Sequence, residues 1–508
     1  MLASIPSATL LGVVGQPVTV EVHVSNGLPG FTVVGLPDPS CRESRDRVRA
    51  ALLSSGESWP LRRITVNLAP SGLRKAGAGL DLPVAIGLLV ATGELSPDSV
   101  QDMAFLGELG LDGTLRPVPG VLSLVDSMSS PTVIVPPANA GEAALLDRHE
   151  VRAAADLGGL LQVLRGEASW PSRPAELGSD PPPSPPDLSD VAGQAVTRVA
   201  LEVAAAGGHH LLMIGPPGAG KTMLARRLPG LLPSLELDTA LDVTRVHSAA
   251  GLGLPRGGLV ELAPFRAPHH GASAVAMVGG GSHTLRPGEI SCAHGGVLFL
   301  DEMGEFSPVV LDALRQPLEE GVVRVSRAVG AVEFPARFLL VAAMNPCPCG
   351  ELGAPGGCRC SDVARLRYLR RLSGPLLDRF DLRVHVLRPT ALELLDSPPG
   401  EASATVAERV AAARAMARDR GVRCNAQLAP AALDDAAPLG AGARNLLHAA
   451  VADGRLSARG LQRVRRVALT LADLSGACGA LTEATVAQAL QLRADPISLD
   501  RALAVGND

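Results

Sequence analysis

The feature that most restricts the fold is the segment GPPGAGKT at positions 215–222, which directly follows the apolar run HLLMI and opens a helical pattern. Glycines let backbone N–H groups close around phosphate oxygens, and the helix that begins there adds a favourable dipole. The pattern predicts a phosphate-binding loop between a strand and a helix. Its residues are Gly215, Pro216, Pro217, Gly218, Ala219, Gly220, Lys221 and Thr222.

The last two residues of this loop have separate expected roles. We expect Lys221 to reach the β- and γ-phosphates of ATP and Thr222 to hold Mg²⁺. Only two of the 46 Lys and Arg residues are lysines. A compact ammonium fits a phosphate cradle in which a planar guanidinium would be too large, which explains Lys221. Lys75, the other lysine, has no comparable setting.

A second apolar run, VLFLDE at 297–302, ends in two adjacent carboxylates. We expect Asp301 to support Mg²⁺ and Glu302 to polarise the attacking water. Solvated acids at a strand end are the alternative, but the complete phosphate loop upstream favours the catalytic interpretation. The next run, FLLVAAMN, ends at Asn345, in the usual place for a side chain that orients water.

Two arginines further along the chain are candidates for contact with the negative charge of the phosphates. Arg379, within SGPLLDRFDL, suits a finger inserted into the site of a neighbouring subunit. Such a finger can be worth about 10³ to 10⁵ in rate. Arg459, within LSARGLQRV, is placed to sense the γ-phosphate. A single arginine is more often a surface residue, so the order of the motifs along the chain supports both assignments.

The 508 residues are too many for one ordinary domain. The proline-rich segment 167–187 predicts a semi-rigid linker. Residues 1–166 alternate short β-rich and helix-like stretches, which indicates a compact α/β domain. Residues 188–392 contain buried apolar runs that end in polar residues, typical of a parallel sheet covered on both faces. Residues 393–508 predict an α-helical lid.

Composition limits the partners and the compartment. The net charge is -5, so any nucleic-acid binding must use local basic surfaces. The N-terminus lacks the basic region of a signal peptide. The longest apolar runs fall short of the roughly 18 residues that cross a bilayer. We therefore expect a cytoplasmic protein without a membrane partner.

Four of the eight cysteines are spaced C-x-C-x₈-C-x-C, at Cys347, Cys349, Cys358 and Cys360. Four thiolates can close a tetrahedral, structural Zn²⁺ site. Reduced thiols in a loop are the alternative, and disulfides are disfavoured in the cytosol. Four histidines also crowd the segment before Asp301, but no spacing among them supports metal ligation. They are His269, His270, His283 and His294.

Together the motifs resemble those of the magnesium-chelatase-like AAA+ ATPases, and more closely the ComM/YifB family. They are the phosphate loop, RPGEISCAHGGVLFLDE, MNPCPCG, SGPLLDRFDL and LSARGLQRV, with GLPGFTVVGLPD, ESRDRVRAAL and VNLAPSGLRKAGAGLDLPVAIGLL in the first domain. The resemblance implies a hexameric ring that hydrolyses ATP between subunits and, in ComM-type members, moves along DNA. It also implies that Arg459 can act on a neighbour's nucleotide.

The first domain resembles the Lon protease fold, but its residues disagree with protease chemistry. That chemistry needs a Ser nucleophile and a Lys base. The corresponding positions fall near Gly79 and Leu122, and Lys75 lies on the wrong side of the glycine-rich segment. We interpret the domain as non-proteolytic, with a role in assembly or substrate binding.

Two segments are candidates for contact with DNA in a ring pore. The family resemblance implies an insertion around GGGSHTLRPGE, near Arg266 and Arg286. The second is the hairpin-like segment EEGVVRVSRAVGAVEF, with Arg324 and Arg327. Basic residues repeated around a ring can follow a phosphate backbone. A solvated strand face is an equal alternative.

Three functions stay open at this point. The leading one is an ATP-driven DNA motor of the ComM type. The second is a chelatase-type motor for metal insertion into a porphyrin, and the third is a ring ATPase that remodels proteins. The Lon-like first domain favours the DNA motor, because it is associated with ComM-type chains. A chelatase also needs partner subunits, which this chain does not supply.

Overall fold

The computed structural model describes residues 2–75, 77–171, 184–255, 258–281, 284–327, 330–352, 357–369, 371, 374–396 and 398–494. Most of the predicted linker, His283 and the last part of the predicted lid, 495–508, lie outside these residues. Asp187, the last residue of the predicted linker, accepts hydrogen bonds from the backbone N–H of Ser189 (2.7 Å) and Ser403 (3.2 Å). It therefore packs with the folded units.

The N-terminal unit is a mixed α/β structure. Its strands, β1 to β9, are Leu2–Leu11, Val14–Ser25, Gly30–Val34, Arg63–Ala69, Met103–Phe105, Glu108–Leu109, Leu115–Arg116, Thr132–Val135 and Glu150–Ala153. Its α-helices, α1 to α5, are Pro39–Ser54, Asp81–Thr92, Val121–Asp126, Ala140–Ala143 and Leu157–Leu164. Short 3₁₀ helices are Ala78–Leu80, Pro97–Val100 and Pro137–Asn139.

Two sheets of this unit are covered by helices. The first has the order β1-β2-β4-β3 and the second the order β5-β8-β9. Along β2, alternate residues from Val18 to Val24 are buried, as expected for a strand with one face in a core. They pack with α2, of which all residues but the last are buried. A helix that is apolar on nearly every side belongs inside a core.

The positions compared above with the Lon protease site carry no nucleophile and no amine. Gly79 lies in a 3₁₀ helix, and Leu122 is fully buried in α3. Lys75 is also fully buried, and its Nζ donates a hydrogen bond to the Pro70 carbonyl. Burial lowers the pKa of Lys75. The side chain thus has a structural setting that the sequence did not show.

The central unit supplies the strands β10 to β18, namely Leu211–Ile214, Phe265–Arg266, Gly279–Gly280, Arg286–Pro287, Val297–Leu300, Val322–Arg327, Gly330–Pro335, Leu339–Met344 and Leu382–His385. Its α-helices, α6 to α14, are Ala195–Gly207, Lys221–Ala225, Leu237–Ala250, Ala274–Val278, Glu289–Cys292, Pro308–Ala313, Arg315–Glu320, Asp362–Leu369 and Gly374–Leu377. Short 3₁₀ helices are Leu188–Asp190, Leu228–Leu231 and Met303–Glu305.

Five of these strands form an all-parallel sheet in the order β11-β14-β17-β10-β18. Every residue of β10, β14 and β17 is buried, as expected for a parallel sheet covered on both faces. The predicted parallel-sheet core is therefore confirmed. Ligands of such sheets bind beyond the carboxyl ends of the strands. At that edge the phosphate loop follows β10, the two acids follow β14 and Asn345 follows β17.

The two segments considered for DNA contact differ in their ion pairs. Strands β15 and β16 form an antiparallel hairpin, in which Arg324 pairs with Glu333 across the strands at 3.0 Å and also with Glu320. Arg327 is exposed at the end of β15. In the other segment Arg266 makes a bidentate pair with Glu289 at 2.7 Å.

The C-terminal unit is helical, as predicted. Its helices, α15 to α20, are Ala391–Leu395, Ser403–Asp419, Pro430–Ala436, Ala441–Ala452, Ala458–Leu474 and Glu483–Gln491, with the 3₁₀ helix Asn425–Gln427. The predicted boundary at 392–393 falls inside α15. Helix α19 buries Val464, Val467, Ala468 and Leu471 at helical spacing, and this stripe shares one hydrophobic cluster with the parallel sheet.

The N-terminal unit packs against the central unit through the turn between β1 and β2. Val13 of this turn belongs to a core cluster of the central unit. Its carbonyl accepts a hydrogen bond from Ser123 Oγ at 2.7 Å. The Gly120 N–H donates to Ser248 Oγ of α8 at 2.7 Å. In the described part of the chain, no helix is long and apolar enough to span a bilayer.

Candidate nucleotide-binding site

The phosphate loop has the backbone that its glycines predict. Gly218 (φ +78°) and Gly220 (φ +86°) are in the left-handed region, which glycine adopts without steric cost. Gly215 is restricted for a different reason. A Cβ at that position would lie 2.1 Å from the Val386 carbonyl oxygen. Packing and backbone geometry therefore both select glycine in this loop.

Lys221 lies inside the loop, with its side chain directed at three oxygen atoms. Its Nζ donates to the carbonyls of Gly215 (2.6 Å) and Pro216 (2.9 Å) and to Asn345 Oδ1 (3.2 Å). Burial lowers the pKa of Lys221, and the charges of Asp301 and Glu302 oppose this effect. The predicted phosphate lysine and the predicted water-orienting asparagine are thus in direct contact.

Thr222 and Asp301 meet at the start of α7. Thr222 Oγ1 donates a hydrogen bond to Asp301 Oδ2 at 2.7 Å, and Asp301 Oδ1 accepts from the backbone N–H of Glu302 at 3.0 Å. A hydroxyl and a carboxylate are the hard oxygen ligands that Mg²⁺ prefers. The donor set therefore fits the predicted magnesium site.

Glu302 has a backbone conformation that is unusual for its residue type. Its φ is +51°, and its side chain is 55% exposed at the edge of the sheet. Left-handed backbone at a non-glycine residue costs free energy and is concentrated at functional sites. The two acids contact different partners, since Asp301 accepts from Thr222 and Glu302 lies beside His270.

His270 contacts Glu302, which the sequence did not predict. Its Nδ1 lies 3.4 Å from Glu302 Oε2, and its ring packs between His269 (centroids 4.1 Å apart) and Phe306 (6.5 Å). His294 lies elsewhere, where its Nδ1 accepts from the Arg337 N–H at 3.0 Å and burial lowers its pKa to about 4. These histidines do not form a metal cluster among the described residues.

Arg379 and Arg459 line a separate cleft, with a volume of about 490 Å³, between the central and helical units. The cleft is also lined by Pro430, Ala458, Gln462, Arg463 and Arg466, and by no residue of the phosphate loop. The pKa of Arg379 is lowered, mainly by burial and to a smaller extent by the positive charges of Arg463, Arg459 and Arg315. The structure thus brings the two predicted arginines together, apart from the loop of their own chain.

A buried network supports this cleft. Arg463 donates to the Arg379 carbonyl at 2.7 Å and also to the Asp381 carboxylate. The other carboxylate oxygen of Asp381 lies 3.2 Å from His209 Nδ1, and His209 Nε2 lies 2.9 Å from Thr470 Oγ1 in α19. The network therefore connects the segment that carries Arg379 to the helical unit.

The four predicted cysteine ligands are also together. Their Sγ atoms all lie within 4.8 Å of one another, and Cys347 and Cys349 are 3.4 Å apart. Ligands of a tetrahedral Zn²⁺ at bonds of about 2.3 Å lie about 3.8 Å apart, so the cluster fits the metal. Burial raises the pKa of Cys347 to about 12, whereas the backbone N–H of Glu351 and the Cys347 thiol lower the pKa of Cys349 to about 6.

The cysteine segment contacts the phosphate loop. A Cβ on Gly350 (φ +79°) would lie 2.6 Å from Pro217 Cδ. Arg388 joins the same two segments, because it donates to the Pro217 carbonyl (3.3 Å) and to Glu351 Oε1 (3.0 Å). The two predicted sites, which we treated separately in the sequence, are thus adjacent.

Gln194 is a further residue at the site that the sequence analysis missed. It precedes α6 with φ +56°, and its Nε2 donates to the carbonyls of Leu387 (2.6 Å) and Ala219 (3.4 Å). It therefore ties the phosphate loop to the segment after β18. The only signal in the sequence is a polar residue after Gly193, at the start of the first helix of the central unit.

Three family models match the chain. They are described as Magnesium chelatase, subunit ChlI, over residues 187–394, Subunit ChlI of Mg-chelatase, over residues 20–139, and Magnesium chelatase, subunit ChlI C-terminal, over residues 400–493. The chain is also 28% identical to Lon protease 2 of Bacillus subtilis over 205 residues, 35% of this chain and 36% of that protein.

Similarity to several relatives extends along almost the whole chain. It is 47% identical to an uncharacterized protein of Mycobacterium tuberculosis over 92% of this chain and 94% of that protein. It is 44% identical to the uncharacterized protein YifB of Escherichia coli over 93% of each chain. It is 43% identical to competence protein ComM of Haemophilus influenzae over 94% of each. On this similarity, the chain belongs to the ComM/YifB family of magnesium-chelatase-like AAA+ ATPases.

Proposed function

We propose that this chain is a ring ATPase that hydrolyses ATP at sites shared between subunits and uses the energy to move along DNA. The separation of the two halves of the site is the main support. The phosphate loop and its partners lie at one sheet edge, whereas Arg379 and Arg459 lie in another cleft. On this proposal, a second copy of the chain in a hexameric ring supplies these arginines to the site.

Within one subunit the roles follow from the contacts. Lys221 binds the β- and γ-phosphates, and Thr222 and Asp301 hold Mg²⁺, which neutralises phosphate charge when bound. Glu302 accepts a proton from the attacking water, and Asn345 orients that water from beside Lys221. His270 holds the Glu302 carboxylate.

The neighbouring subunit completes the site. Its copies of Arg379 and Arg459 stabilise the charge that develops on the γ-phosphate. Such stabilisation is strong because the donors are charged and already oriented before the reaction. The Asp381 network holds the backbone of Arg379 in place through Arg463.

The DNA substrate is proposed on two grounds. One relative is named a competence protein, and the hairpin of β15 and β16 ends in an exposed arginine, Arg327. Arg324, the second predicted contact, already pairs with Glu320 and Glu333. Arg327 is therefore the better candidate for a phosphate contact, and Arg286 is exposed in the neighbouring insertion.

The four-cysteine cluster is proposed as a structural Zn²⁺ site. When bound, the metal would tie Cys347 and Cys349 to Cys358 and Cys360 as a zinc knuckle. Through Gly350 this knuckle packs on the phosphate loop. All eight cysteines are free, which is in keeping with a reducing compartment such as the cytoplasm.

ATP hydrolysis measured with single-stranded, double-stranded and branched DNA tests the proposal. We expect DNA to raise the turnover, and the DNA affinity to fall steeply with salt because a ring neutralises several phosphates. Arg327→Ala should flatten the salt dependence, whereas Arg455→Ala, an exposed arginine of the helical unit, should not.

A chelatase-type motor is the second candidate, because a magnesium-chelatase model covers the nucleotide site. Such a motor would ignore DNA and respond to partner subunits that bind a porphyrin, and a protein remodeller would respond to a polypeptide client. An active ring whose turnover and DNA affinity do not change with any of the three DNA forms at low salt would refute the DNA motor. The ATPase assignment would stand.

A further inference from the structure

An ion pair between Glu319 and Arg379 connects the hairpin to the proposed arginine finger. Glu319 lies in α12, which ends at Glu320, and Gly321 (φ +71°) caps the helix and leads directly into β15. The Ala336 N–H donates to the Gly321 carbonyl at 2.8 Å, which closes the base of the hairpin. The helix with Glu319 and the base of the hairpin are thus one connected unit.

Arg379 needs a counter-charge in this setting. Arg315, Arg459 and Arg463 surround it with positive charge, and its side chain is only 13% exposed. The nearby Asp381 carboxylate is engaged by Arg463 and His209. Within the described part of the chain, Glu319 is the carboxylate that pairs with Arg379.

The pair is suited to exchange. Glu319 is 55% exposed, and a solvent-exposed carboxylate forms a weak, readily broken ion pair. A phosphate group can accept two parallel hydrogen bonds from the guanidinium and carries more negative charge than a carboxylate. A neighbour's nucleotide can therefore replace Glu319 on Arg379, whereas an empty neighbouring site cannot.

We propose that Glu319 is a positioning residue that keeps Arg379 engaged within its own subunit until the nucleotide of the neighbour competes for it, and that movement of the hairpin on a bound polymer favours the exchange. This inference rests on the proposed role of Arg379 in trans. It also rests on the proposed DNA contact of the hairpin, and it connects that hairpin to the step of hydrolysis.

Glu319→Gln tests this, because it removes the charge and keeps the shape. Without DNA, we expect kcat to rise about two- to fivefold, the factor that corresponds to an exposed ion pair, with KM for ATP unchanged. The stimulation by DNA should fall by the same factor. Glu320→Gln is the matched control, since Glu320 is the next residue and pairs with Arg324 instead. It should leave kcat without DNA at the wild-type value.

A double variant separates this inference from the proposed function. Glu319→Gln combined with Arg379→Ala should have the same kcat as Arg379→Ala alone, because Glu319 acts only through Arg379. If Arg379→Ala turns over normally, the role of Arg379 in trans fails, and the inference fails with it. If Arg379→Ala is impaired but Glu319→Gln has a kcat and DNA stimulation at or below those of the wild type, only the inference is overturned.

Discussion

Asp381→Asn should destabilise the junction between the central and helical units by about 3 kcal/mol. Asp381 is 8% exposed, and its two oxygens contact His209 and Arg463. Asparagine keeps the shape, but it removes the charge and turns an NH₂ group toward one of these two donors. Breaking a buried pair costs about 3–5 kcal/mol, and the lower value applies because the amide oxygen still accepts one bond.

Thermal unfolding followed by circular dichroism measures this change. For a unit of about 150–250 residues, about 3 kcal/mol corresponds to a fall in midpoint of about 6–12 °C. Asp378→Asn is the matched control, because Asp378 is 49% exposed and 3.9 Å from Arg383. It should cost less than about 0.5 kcal/mol. Midpoints of the two variants within about 1 °C of each other would refute the reasoning.

The same contacts predict how the difference varies with pH. Burial alone would raise the pKa of Asp381, but the hydrogen bond from His209 and the charges of His209, Arg463 and His210 hold it far below its usual range. A carboxyl with a depressed pKa in the folded state stabilises the protein above its unfolded value of about 3.9 and loses this effect as the pH falls. The difference in stability between wild type and Asp381→Asn should be largest at neutral pH and should decrease below about pH 4.

Other predictions concern the nucleotide site. Lys221→Ala should lose ATP binding in a nucleotide titration, and equal ATP affinity in wild type and Lys221→Ala would contradict the assignment of the site. Glu302→Gln should bind ATP and hardly hydrolyse it, because Glu302 acts only when water attacks. Arg379→Ala should bind nucleotide and lose a factor of about 10³ or more in turnover. Mixing it with Lys221→Ala subunits should restore part of the activity, and no recovery in rings that exchange subunits would argue against a shared site. His270→Ala should lower kcat by about 10-fold with KM unchanged, as expected for a residue that positions a base; a change in KM alone would assign His270 to binding. Metal analysis of protein purified without chelator should find about one zinc per chain. A zinc content near zero with four titratable thiols would show that the cysteines are reduced thiols in a loop.

Much of the nucleotide site could be predicted because it is encoded locally. The phosphate loop with Lys221, the acid Asp301 and Asn345 each follow an apolar run, and a parallel sheet places the ends of such runs at one edge. The cysteine cluster was predictable for the same reason, since its ligands lie within one short segment. The geometry then confirmed that these groups meet, down to the contact of Lys221 with Asn345.

The remaining contacts join residues that are distant in sequence. Asp381, His209 and helix α19, which carries both Arg463 and Thr470, are three separate segments, and no periodicity connects them. The spacing of Arg324 and Arg327 also gave no sign that a cross-strand acid neutralises only the first of them. Such pairings depend on the register of strands and on the docking of the helical unit, which three-dimensional packing sets.

Both lysines of the chain are buried: Lys75 is fully buried, and Lys221 is 8% exposed. Reagents that modify primary amines, such as succinimidyl esters, therefore find no exposed lysine on this protein. Lysine-directed cross-linkers are therefore a poor way to trap a ring of this protein. Carboxylate-directed chemistry, or thiol chemistry at the exposed Cys478, is the suitable way to capture it. Acetylation and ubiquitin attachment likewise lack an exposed lysine acceptor here.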